Sequence, residues 1–201
     1  TGGRNAAMGS WALFANTTGS GNVAVGHGVM ECNTCGSGNV ALGREALYKN
    51  LSGACNVAIG CKALYENETG SCNIAIGCGA GKVTTSTGSV LIGHQAGVAQ
   101  TTAVNTAVGH QALANTTDGG ENVAVGAAAC TSTGDCNVAV GYHALKLNCT
   151  TNSNVAVGSH SLYNNLAAEN VAIGSLALDS ANNNESRNVA VGYQALLSLD
   201  G

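Results

Sequence analysis

Nine Cys, five His and eleven Asp plus Glu are the side chains with which this 201-residue chain could do nucleophilic, metal or acid–base chemistry. Such chemistry needs groups that converge on one cleft. The acids Glu45, Glu66, Glu68, Asp118, Glu121, Asp135, Glu169, Asp179 and Glu185 are dispersed, and no Ser elbow or Cys–His dyad stands out, so no catalytic residue is assigned. The run Gly77-Cys78-Gly79-Ala80-Gly81-Lys82 looks like a phosphate loop, but Val83 stands where the loop needs Ser or Thr. Asn-x-Ser/Thr triplets at Asn16, Asn50, Asn67, Asn115, Asn148 and Asn184 are candidate N-glycosylation sites, with Asn33-Thr34-Cys35 as a weak variant. Asn-Thr-Thr-Gly is equally good turn chemistry, and both readings stand.

The elements that must position these groups are set by a repeat. The unit Asn-Val-Ala-Val/Ile-Gly-x-x-Ala-Leu starts at Asn5, Asn22, Asn39, Asn56, Asn73, Ser89, Asn105, Asn122, Asn137, Asn154, Asn170 and Asn188, at spacings of 15 to 18 residues. Twelve units fill residues 1–201 as one repeat domain without distinct caps. The fifth position is Gly in all twelve, which marks a turn that a Cβ would obstruct. β-Branched residues flanking an Ala before it give a short strand with two faces and exclude a helix. The later Ala-Leu pair reads as a second short strand.

So short a repeat predicts an all-β fold, a parallel β-solenoid of about twelve coils. At ~4.8 Å per coil the rod would be roughly 55 to 60 Å long. Equivalent residues then stack in columns. On this reading the Val/Ile and Leu columns fill the core, the Asn column forms an amide ladder, and the Ala columns leave a smooth face for another copy.

Columns also organise the reactive side chains. Cys55 and Cys72 precede anchor Asn residues of adjacent coils, and Cys61 and Cys78 follow the repeat Gly of adjacent coils. Cys32/Cys35 and Cys130/Cys136 share loops, and Cys149 is left over. These pairs are disulfide candidates suited to an oxidising compartment, against the alternative of free thiols. Cys61, Cys78, His94 and His110 occupy one column in four consecutive coils, but four rungs span about 14 Å and cannot ligate one zinc ion. No metal site is assigned. His94/His110 and His143/His160 are stacked pairs that could take a metal opportunistically, against the plainer reading of solvated imidazoles. Trp11 and the five Tyr read as loop packing rather than a carbohydrate platform.

The sequon Asn residues fall at one offset, ten or eleven residues after the anchor for Asn16, Asn50, Asn67, Asn115 and Asn148, so glycans would line one edge. A net charge of -4 with 7 Lys plus Arg leaves no basic footprint for nucleic acid. No run reaches the ~18 apolar residues of a membrane span, and no cofactor motif is present.

The Asn-x-Val/Ile-Ala-Ile/Val-Gly unit resembles the head repeats of trimeric autotransporter adhesins, which form a left-handed parallel β-roll. The longer form, as in Ala63-Leu64-Tyr65-Glu66-Asn67-Glu68-Thr69-Gly70, is similar to repeats of phage and giant-virus tail fibres. The resemblance implies an extracellular, fibrous or adhesive role and a trimer. The longer loops and nine Cys depart from the adhesin pattern. The expected function is a non-enzymatic, extracellular structural protein that self-associates into a filament by head-to-tail continuation of its ladder, with Asn5, Met8, Val189, Val191 and Leu196 at the assembly ends. The alternative is an adhesin head or viral fibre module that binds a host glycan or receptor.

Overall fold

The computed structural model describes residues 2–100, 104–115, 117–130, 134–147, 150–164, 166–179 and 186–197. It holds twelve three-residue strands: β1 (Ala6–Met8), β2 (Val23–Val25), β3 (Val40–Leu42), β4 (Val57–Ile59), β5 (Ile74–Ile76), β6 (Val90–Ile92), β7 (Thr106–Val108), β8 (Val123–Val125), β9 (Val138–Val140), β10 (Val155–Val157), β11 (Val171–Ile173) and β12 (Val189–Val191). They pair in parallel in chain order to form one sheet. The register follows the repeat, with Val57, Ala58 and Ile59 opposite Ile74, Ala75 and Ile76. This is a parallel β-solenoid with one strand per coil.

Among the described residues the predicted second strand is absent. After each repeat Gly the chain runs through turns in which every other residue is left-handed, as in Glu45 (φ 57°) and Leu47 (φ 54°) around Ala46. Backbone bonding between coils continues through this stretch, but its direction alternates. Glu45 N–H donates back to His27 O (2.9 Å), and Leu47 N–H donates forward to Ala63 O (2.9 Å). An Ala-Leu pair with period-two spacing suits this alternating path as well as it suits a strand, which is why the pattern misleads.

The inside and outside of the strand are also the reverse of the sequence reading. The middle residue faces inward, so Ala24, Ala41, Ala58 and Ala75 are fully buried, while the flanking Val and Ile lie on the outer face. The core is built from this Ala column, the later Ala column (Ala46, Ala63, Ala112) and the Leu column (Leu47, Leu64, Leu113). The reason is width: a coil of about 17 residues encloses room for one Leu opposite small side chains. Where the strand centre is large, as at Leu91, the Leu column gives way to Gly81 and Gly97. A Cβ on Gly81 would lie 2.7 Å from Leu91 Cδ1, and one on Gly97 would lie 2.5 Å from Leu91 Cδ2. One large side chain thus fills the space of two.

The repeat Gly has φ between 121° and 137°, and a Cβ on Gly60 would lie 2.6 Å from the carbonyl oxygen of Gly77 in the next coil. Only glycine lets the coils close to ladder distance there.

Two buried polar columns hold the loops. Each anchor Asn receives the backbone N–H of the next anchor on its Oδ1, as when Asn39 N–H donates to Asn22 Oδ1 (2.9 Å). In many coils its Nδ2 donates to a loop carbonyl, Asn39 to Gly53 at 2.8 Å and Asn73 to Ser86 at 2.6 Å. The second column contains Asn33, Asn50 and Asn67; Asn50 Nδ2 donates to the same Gly53 oxygen (2.9 Å) and to Asn33 Oδ1 (2.7 Å). Amides from both ends of the loop therefore clamp one carbonyl. The second column becomes Thr84 and Gln100 beside the Leu91 exchange, where Asn67 Oδ1, Thr84 Oγ1 and both Gln100 amide atoms are buried without a partner.

Candidate interaction surface

The first and third residues of every strand form the outer face of the sheet. Of those 24 positions, 23 are aliphatic or Met and one is Thr106; none is charged. Eleven inter-strand steps of ~4.8 Å make the stripe ~53 Å long, two side chains wide and on the order of 500 Å². That is at the upper end of what a monomer leaves in water. In mid-rod, Ile59, Ile74 and Ile76 are each 36% to 37% exposed although strands flank them on both sides. β-Branched stiffness keeps these side chains in few rotamers, so the face costs little entropy to bury.

Charge is confined to the remaining columns. Lys62 Nζ lies 3.4 Å from Glu45 Oε2, Lys49 Nζ lies 3.9 Å from Glu66 Oε2, and Arg187 Nε donates to Glu169 Oε2 at 2.7 Å. All three pairs are solvated and contribute little stability. The Tyr48 and Tyr65 rings stack at 5.2 Å and 8°, with Lys62 Nζ 5.5 Å from the Tyr65 ring centre.

The expected modification sites fare unevenly. Asn50 and Asn67 are fully buried, and the Nδ2 that would carry a glycan is committed to hydrogen bonds in both, so the fold has no room for a sugar there. Asn33 is buried in the same way. Asn16 is half-buried with Nδ2 on Gly19 O (3.0 Å), and Asn115 is exposed. Asn148, Asn184 and Cys149 lie outside the described residues.

Cys32, Cys35, Cys55, Cys61, Cys72, Cys78 and Cys136 are free thiols. The register stacks Cys55 with Cys72 and Cys61 with Cys78 in single columns, as the spacing implies. Cys32 is half-buried and its loop mate Cys35 exposed. Cys130 occupies the Leu column of the core, whereas its loop mate Cys136 sits outside, its Sγ 3.4 Å from Glu121 Oε2. The hydrogen bond to the Glu121 carboxylate, with burial, pushes the Cys136 thiol above its usual pKa. Gly120, Glu121, Asp135 and Cys136 line a shallow hollow on this side.

Of the expected assembly ends, Met8, Val189 and Val191 are about two-thirds exposed and Leu196 is exposed. Asn5 is half-buried; its Nδ2 donates to Gly19 O (2.8 Å) and its Oδ1 accepts from Asn22 N–H (2.8 Å).

The two histidine pairs that look alike in sequence differ in space. His94 and His110 stack face to face at 5.3 Å and 9°. His143 and His160 meet edge-on at 82°, with His143 Nδ1 3.3 Å from His160 Nε2. Burial first, then Lys146 and His160, lowers the His143 pKa from its ordinary value.

The fold defines the class of this protein as a parallel β-solenoid. Comparison with protein-family models, curated proteins and solved structures found no match for this chain. Among the described residues, no three His, Cys, Asp or Glu side chains gather where they could hold a metal ion, and no helix is long and apolar enough to cross a membrane.

Sequence reasoning missed the outward Val/Ile face. The exchange of Leu91 against Gly81 and Gly97 was the signal available for it, because only an inward strand centre would need such compensation.

Proposed function

We propose that this chain is a non-catalytic structural rod of an extracellular fibre or appendage, and that it self-associates through its aliphatic sheet face. The observation that carries this reading is the uncharged Val/Ile stripe, which runs from β1 to β12 and is served by no other part of the described chain. A stripe this long and narrow fits a partner of the same length and periodicity, which a second or third copy supplies. The parallel ladder repeats at constant register, so end-to-end continuation into a filament belongs to the same proposal. The extracellular assignment draws on the resemblance to adhesin and tail-fibre repeats.

The test is sedimentation velocity on the purified chain and on an Ile59→Lys/Ile76→Lys variant. The wild type is expected to sediment as a defined oligomer at micromolar concentration, and the variant as a monomer with unchanged far-UV circular dichroism. A wild-type monomer at ten times that concentration would overturn the reading. Electron microscopy of the native material separates filaments from discrete oligomers.

A second reading, an adhesin head or fibre module that holds a glycan, draws on the stacked Tyr48 and Tyr65 rings beside Lys49 and Lys62. Saturable glycan binding lost in Tyr65→Ala would favour it.

A further inference from the structure

We propose that His143 and His160, from successive coils, form a two-histidine site for a divalent transition-metal ion of the zinc or copper(II) type. An imidazole nitrogen binds a metal with the lone pair in its ring plane. The His94 and His110 rings lie within 9° of parallel with centres 5.3 Å apart, so their in-plane lone pairs run nearly side by side and do not converge on one ion. The His143 and His160 planes cross at 82°, and the facing nitrogens are 3.3 Å apart. Two ligands on one tetrahedral ion with bonds of 2.0–2.1 Å are separated by about 3.3–3.4 Å. The gap therefore already has the width that a shared ion requires.

The surroundings favour this use. His160 Nδ1 lies 2.9 Å from Ser159 Oγ, a hydroxyl able to accept from Nδ1–H in the tautomer that leaves the Nε2 lone pair toward His143. Tyr142 stacks on His143 with ring centres 3.7 Å apart, and the Tyr163 ring lies 5.2 Å from that of His160, holding both imidazoles in place. Imidazole pairs suit zinc, copper and nickel. With two protein ligands the ion keeps water in its other positions.

Without metal, the contacts assign the protons in one direction. The Lys146 ammonium donates to His143 Nε2 (2.9 Å), His143 Nδ1–H donates to His160 Nε2, and His160 Nδ1–H donates to Ser159 Oγ. On binding, the ion accepts the lone pairs of His143 Nδ1 and His160 Nε2. The Nδ1 proton of His143 moves to its Nε2, and Lys146 turns from that nitrogen to water. Protons balance, and no redox step is involved.

The experiment is a zinc chloride titration by calorimetry of the full chain, its accessible thiols first blocked with iodoacetamide, alongside His143→Asn, His160→Asn and a His94→Asn/His110→Asn control. Asn is chosen because His143 and His160 have φ of 58° and 57°, which Asn tolerates. One zinc per chain is expected in the wild type and the control, with affinity falling at least about tenfold in each single variant and about tenfold in Ser159→Ala. Circular dichroism identifies any variant that fails to fold, and nitrogen chemical shifts of the two wild-type imidazoles moving with zinc supply the readout in that case. Equal binding by the folded single variants, loss in the control alone, or no zinc-dependent shift at His143 and His160 would overturn the proposal.

Discussion

Asn50 shows how one residue type can be read in two opposite ways. In sequence it is the acceptor of an Asn-Leu-Ser triplet; in the fold its Nδ2 ties Gly53 O and Asn33 Oδ1 together in the interior. Asn50→Gln should therefore act on stability. Leaving Asn33 Oδ1 unpartnered and forcing in a longer side chain should cost about 1–3 kcal/mol, seen as a lower urea midpoint. Asn115→Gln, on the exposed edge, should stay within about 0.5 kcal/mol of wild type. Intact mass of protein from its native source checks the chemistry directly: sugar on Asn50 would contradict the burial described above. Local sequence carries the triplet but not the direction of its side chain, which the stacking of coils alone decides.

At the scale of the coil, much was legible. The twelve starts, the repeat Gly and the parallel stacking follow from periodicity, and the strands occupy the residues between anchor and Gly. What the pattern could not separate was a strand from a path of alternating handedness, since both place side chains on opposite sides every second residue. For the same reason it could not say which side of the three-residue strand was inside. Leu91 and the two glycines facing it provide the quantitative check. Leu91→Ala should cost about 2–5 kcal/mol through the cavity it leaves. Gly97→Ala should destabilise in the wild-type background, where its Cβ would lie 2.5 Å from Leu91 Cδ2, and far less once Leu91 is Ala. Urea midpoints of the two single variants and the double variant should give a coupling of about 0.5–3 kcal/mol. Additive effects would show that the two positions do not share one space.

For the whole rod, chemistry divides by face: one aliphatic sheet, and around the rest a sparse set of solvated charges. Association through the uncharged sheet should behave as apolar burial does. It should strengthen on warming from about 5 to 25 °C and on adding sulfate, and should barely respond to sodium chloride between about 0.05 and 0.5 M. Sedimentation equilibrium under these conditions checks it, and strong weakening by sodium chloride would move the contact to the charged columns.

The alternating backbone has a consequence for how such a rod comes into being. Twenty-eight described non-glycine residues have φ between 46° and 69°, a conformation that costs an ordinary residue about 1 kcal/mol. An isolated coil has no neighbour to supply the hydrogen bonds that offset this, so it has no reason to adopt the path. A coil laid on a finished one finds every donor and acceptor already in place. The molecule therefore grows as a crystal does: it starts slowly, spreads quickly from any existing surface, and each completed turn serves as the seed for the next.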